Sequence, residues 1–147
     1  MEGLVMAQFL TDMHTHTTFS HDGRNTPAEM LAAAQKQGVA FYGVSEHFDY
    51  DYDTSLMDED EYKATRNGDE GEYFHTLRHL QEDYEGVMNV AVGAEFGYSE
   101  EEKVQGRYAL TYEKYRPDYV INSVHSIDGR DFACVRYSKT AKIIGTK

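Results

Sequence analysis

Apolar residues in this chain gather in short runs, and helical spacing fills the stretches between them. VMAQFLTDMHTH (5–16) reads as a strand that turns polar at its end. Thr26-Pro27 follows, an N-cap with proline at the first helical position and Glu29 in the first turn. PAEMLAAAQKQG (27–38) then predicts a helix stopped at Gly38. VAFYGVSEH (39–47) is a short, mostly apolar strand of the kind buried in parallel sheets. The acidic, tyrosine-rich stretch 48–72 reads as a long loop, and EYFHTLRHLQEDYEG (72–86) as the next helix. VMNVAVGAEFGY (87–98) reads as a strand, SEEEKVQGRYALTYEKYR (99–116) as a helix opened by Ser99, and PDYVINSVHSID (117–128) as another strand.

Strand and helix thus alternate four times, which argues for βαβ units and a parallel sheet of the α/β class. In such folds chemistry collects at the carboxyl ends of the strands. Those ends hold His14-Thr15-His16, Glu46-His47, Glu95 and His125. Each is a good ligand for a divalent metal. Residues two apart on a strand share a face, so His14 and His16 can grip one ion. Glu95 sits in AVGAEFG, where an unpaired buried carboxylate is unfavourable and metal coordination removes the penalty.

The 147 residues suit one domain, read here as 1–147. Net charge is −12, from 26 acids against 14 bases, so a nucleic-acid surface built from general basicity is not expected. An acidic protein can still take an anionic substrate when metal ions carry the positive charge. The segment 128–147 is the basic exception, with five bases and two acids, and reads as a solubilising tail. The single cysteine, Cys134, excludes an intrachain disulfide, fits a cytoplasmic protein and reads as a small buried apolar residue. Met1–Leu10 lacks a basic start and a cleavage site, so it is read as the lead-in to a strand rather than a signal peptide, and no apolar run is long enough to span a membrane.

Two further patterns are set aside. Asp49, Asp51 and Asp53 resemble the start of a calcium loop, but Thr54 stands where the turn needs glycine and Asp60 where glutamate is needed. That stretch is read as a solvated acidic loop near the site mouth. His75 and His79 are four apart on a helix, but no glutamate follows the first, and a surface pair is the better reading.

DMHTHTTFSHDG, GVSEHFDYDY, VGAEFGYSEE and INSVHSIDGRDF together resemble the PHP family of metal-dependent phosphoesterases, from about Thr11 to Phe132. The last two pieces are most similar to its histidinol-phosphatase branch. The resemblance implies the front portion of a distorted (β/α)7 barrel and up to three divalent ions, Zn, Fe or Mn. It implies that His14 and His16 bind one metal and that Glu95 bridges it to a second bound by His125. Asp22 and His47 would join at a third. Asp12 would hold a ligand histidine from outside, and His21 would stand beside the site or at the surface. The family also carries a later His and an Asp-x-His pair. No histidine follows His125 here, so each metal position is expected to lack a ligand. The activity implied is phosphomonoester hydrolysis on a small phosphorylated substrate such as L-histidinol phosphate, in histidine biosynthesis. The alternatives are a phosphodiesterase or nuclease of the same chemistry, and a truncated metal-binding fragment without catalysis. An incomplete barrel leaves an open sheet edge, so a homo-oligomer that covers it is expected.

Overall fold

The computed structural model describes residues 10–131. The segments 1–9 and 132–147 lie outside the described residues, and with them the strand lead-in, most of the basic tail and Cys134. Four parallel strands pair in chain order: β1 (Leu10–Asp12), β2 (Val39–Phe48), β3 (Asn89–Gly97) and β4 (Tyr119–Ser123). Helix α1 (Pro27–Lys36) joins β1 to β2. Helices α2 (Glu59–Ala64) and α3 (Glu70–Asp83) join β2 to β3, and α4 (Glu102–Tyr115) joins β3 to β4. The result is a curled half-barrel. A two-stranded antiparallel hairpin, β5 (Ser126–Ile127) and β6 (Arg130–Asp131), follows β4.

Helix α1 starts as its sequence predicts. Thr26 and Glu29 form a reciprocal capping box with Pro27 at the first position, and Gly38 beyond the end takes φ 73°. Three expectations are corrected. The stretch 48–72 is not a featureless loop: it holds a 3-10 turn at Thr54–Leu56 and α2, which Asp58 and Glu61 cap reciprocally. Glu101, not Ser99, is the N-cap of α4, and Ser99 Oγ accepts from the Glu101 amide instead. The strand expected over 117–128 ends at Ser123, so His125 lies in the turn beyond it.

The sheet has two unlike faces because side chains alternate along each strand. Tyr42, Val44 and Phe48 of β2 and Val90, Val92, Ala94 and Phe96 of β3 pack under Leu31, Phe74 and Leu77 of the helices. Leu31, Val44, Leu77 and Val92 are fully buried, and each such side chain contributes about 1.5–3 kcal/mol. The other face begins with glycines. A Cβ on Gly93 would lie 2.3 Å from Tyr119 Cζ, and one on Gly43 would lie 2.3 Å from its hydroxyl. The Tyr119 ring crosses β3 and β2 over these gaps, and its hydroxyl donates to Met13 O at 2.8 Å. Further along the same face come Ser45, His47 and Glu95. No helix among the described residues is long and apolar enough to cross a membrane.

Gly93→Ala is expected to destabilise by about 1–3 kcal/mol through overpacking against Tyr119. The loss should shrink in a Tyr119→Ala background, as urea unfolding of the double-mutant cycle would show. Gly106 meets nothing within 4 Å in mid-α4, so Gly106→Ala should stabilise by about 0.5–1 kcal/mol.

Candidate metal centre

Glu95 is the centre of the site. It lies two residues before the end of β3, its side chain is 3% exposed, and it pairs in register with His47 on β2. Oε2 meets three imidazoles: His14 Nε2 at 3.1 Å, His16 Nε2 at 3.3 Å and His47 Nδ1 at 3.1 Å. Oε1 meets His125 Nε2 at 3.1 Å and accepts from Ser123 Oγ. His14 and His16 follow β1 rather than ending it. The chain stays aligned with β2 through Ser45 N donating to Thr15 O at 2.9 Å, so the two imidazoles still share a face. His47 Nε2 faces Asp22 Oδ2 at 3.6 Å. His16 and His47 stack with ring centroids 4.2 Å apart.

These residues form three ligand groups that share members: His14, His16 and Glu95; His16, Asp22 and His47; and His47, Glu95 and His125. The atoms fit divalent ions. Glu95 Oε2 and His47 Nδ1 are buried with no hydrogen-bond partner, although several nitrogens surround the oxygen. Lone pairs aimed into one shared space without proton-mediated contacts are what a cation satisfies. The mix of imidazole and carboxylate suits Zn, Fe or Mn.

All six sequence-predicted ligands therefore lie together. Asp12 does not join them: it is exposed and forms no hydrogen bond with any histidine among the described residues. Asp49 stands in that outer role instead. Its side chain is 3% exposed and its Oδ1 lies 2.7 Å from His125 Nδ1. Asn67 links it to His21, donating to Asp49 Oδ2 while its own Oδ1 lies 3.0 Å from His21 Nδ1. His21 stacks on His47 with centroids 5.1 Å apart, beside the cluster. The acidic stretch is therefore packed at its start, over 49–52, and solvent-exposed over most of 53–60. Asp51 accepts from Tyr108 OH at 2.9 Å and Ser126 Oγ at 2.6 Å. Glu46 is no ligand, because it points to the opposite face of β2 from His47 and is 2% exposed. His75 and His79 form an edge-to-face ring pair on α3, away from these groups.

The electrostatics follow from burial and contact. Burial, then the charge of His47, lower His16 from 6.5 to about 4. Burial would also lower His125, but Asp49 and Glu95 override it and raise the imidazole from 6.5 to about 10. Burial favours protonated Glu95, yet hydrogen bonds from His125 and Ser123 and the charge of His47 hold it well below the usual carboxylate range.

The PHP domain family model matches residues 12–144. A probable histidinol-phosphatase of Clostridium acetobutylicum is 28% identical over 131 residues, covering 88% of this chain and 43% of the relative. One from Schizosaccharomyces pombe is 26% identical over 142 residues, covering 90% and 44%. The chain thus spans less than half the length of these relatives. The histidinol phosphate phosphatase of Lactococcus lactis, solved with zinc, L-histidinol and phosphate, is similar in fold, with a TM-score of 0.67 at 24% identity. It covers 83% of this chain and 42% of its own. The putative histidinol phosphatase of Listeria monocytogenes gives 0.66 at 22% identity, covering 80% and 45%. These likenesses show the fold, the front portion of an α/β barrel.

The two shifted histidines predict the pH response of the metal-free protein. His125 is raised on folding, so its contribution is full below pH 6.5 and fades as pH rises through about 10. His16 is lowered, so its contribution is full above pH 6.5 and fades as pH falls toward about 4. Urea unfolding from pH 4 to 10 should show both limbs, and Asp49→Asn should flatten the alkaline one. An unchanged alkaline limb in that variant contradicts the assignment.

Proposed function

The chain belongs to the PHP domain family, and from that premise we propose that it is a metal-dependent phosphomonoesterase acting on L-histidinol phosphate, or a closely similar amino-alcohol phosphate, in histidine biosynthesis. The observation that carries this reading is the convergence of four imidazoles on the single Glu95 carboxylate. His14, His16, Asp22, His47, Glu95 and His125 would hold up to three Zn, Fe or Mn ions. Bound divalent ions supply positive charge for a phosphate dianion and acidify a water toward hydroxide near neutral pH.

The chain's own residues prepare that chemistry. His16 stays neutral at physiological pH, its lone pair free to ligate. Asp49 holds the His125 ring from Nδ1 and leaves Nε2 facing Glu95, which fixes the orientation of the imidazole. His125 carries a proton near neutrality in the metal-free protein, so ligation requires that proton to leave, and metal uptake strengthens with pH. The reading is of a single cytoplasmic domain. The outer edge of β4 has no partner strand among the described residues, and a second copy covering it is the assembly we favour.

Phosphate release from L-histidinol phosphate should appear on adding Mn²⁺, Zn²⁺ or Fe²⁺. It should fall at least about 100-fold in His14→Ala and in Glu95→Gln. A single-stranded oligonucleotide should stay intact under the same conditions. No turnover with any of the three metals would overturn the phosphatase reading and leave a non-catalytic metal-binding chain. Cleavage of the oligonucleotide alone would favour a nuclease.

A further inference from the structure

We propose that Glu46 is a positioning residue: from the far face of the sheet, its carboxylate fixes the loop that sets His16 and Asp22 against His47. The inference rests on the metal-centre reading and adds to it a residue outside the ligand groups.

Glu46 and His47 are neighbours on β2, so their side chains leave opposite faces of the sheet. Glu46 is 2% exposed, and no cation pairs with it among the described residues. Among the described residues its hydrogen bonds go to the loop after β1. Oε1 accepts from the Thr17 amide at 2.8 Å, and Oε2 accepts from Ser20 Oγ. Ser20 Oγ in turn accepts from the His47 amide at 2.9 Å.

The arrangement repairs a short strand. β1 stops at Asp12, so the amides of β2 that face it need other acceptors. Ser45 N finds Thr15 O, and His47 N finds the Ser20 hydroxyl. That hydroxyl accepts from His47 through a lone pair and gives its own proton to Glu46, so the carboxylate fixes which way the serine turns. The loop then closes on itself, with Ser20 N donating to Thr17 O and Gly23 N to Ser20 O. A Cβ on Gly23 would lie 1.7 Å from Thr17 O, so the closure demands glycine there. Thr17 follows His16 and Ser20 precedes Asp22 by two. Both residues anchored on Glu46 therefore lie between His16 and Asp22, the two that face His47. Thr15, Phe19 and His21 tie the rest of the loop to Gly43, Ser45, Gly68 and Asn67, and Glu46 holds the part between Thr17 and Ser20.

The test compares Ser20→Ala, Glu46→Leu and Glu46→Gln with wild type, by amide hydrogen exchange without metal and by Co²⁺ titration followed in visible absorption. Exchange at Thr17 should quicken at least about tenfold in Glu46→Leu, and at His47 in Ser20→Ala, with the central β3 amides unchanged. Co²⁺ affinity at one site or more should drop about 10–100-fold in both. Glu46→Gln keeps an acceptor for Thr17 and should lose less. If Glu46→Leu fails to fold, Ser20→Ala decides alone. Unchanged exchange, or faster exchange with wild-type Co²⁺ affinity, overturns the positioning role. A wild type that takes up no Co²⁺ overturns the metal-centre reading itself and this inference with it, a failure seen before any variant is made.

Discussion

Glu95 places a carboxylate at the buried end of β3, in a strand otherwise made of Val, Ala, Gly and Phe. Left alone there, an ionised carboxylate would destabilise the fold by several kcal/mol. The surrounding residues answer that constraint. Ser123 and His125, from the end of β4 and the turn after it, reach one oxygen, and His14, His16 and His47 surround the other. The first oxygen accepts from Ser123 and faces His125 Nε2, and the second lies 3.1–3.3 Å from three imidazole nitrogens, none of them in good hydrogen-bond geometry. The crowding of three imidazole nitrogens around that second oxygen is the feature a bound cation would satisfy.

The period of two along the strands divides the work of the sheet. One face is apolar and carries the helices, which gives the half-barrel its core. The other is lined first by glycines, which let Tyr119 bridge from β4 to the segment after β1, and then by ligands. Holding the ligands at the carboxyl ends keeps them near the mouth: His14 and Asp22 are half exposed, while Glu95 is sealed. Glu46 and Asp49 carry the same logic outward. One pins the loop from beneath the sheet, and the other pins a ring from the far end of β2.

Much of this was legible in the sequence because it follows from periodicity. Strand ends and the spacing of His14 and His16 pointed to five of the six candidate ligands, and Asp22 came only from the family resemblance. The acidic stretch was not legible, because a run rich in Asp and Tyr reads as solvated on composition. Two signals in it were available. Asp58 followed by Glu61 is a capping box that announces α2, and Asp49 continues the 45, 47, 49 alternation that places it on the ligand face. The separation of Glu46 from His47 follows from the same alternation. Asp12 was misplaced because β1 ends there, before the ligand segment begins. The long-range bonds of Asp49 to His125 and of Glu46 to Thr17 and Ser20 span too much chain for any local pattern to show.

Anomalous diffraction from crystals of the full chain soaked with Zn²⁺ tests the central claim most directly. The account predicts a peak within about 2.0–2.3 Å of Glu95 Oε2 and of imidazole nitrogens from His14 and His16, with Glu95 shared by a second peak at His125. A clean map at Glu95, with zinc found only at surface sites such as His75 and His79, would contradict it.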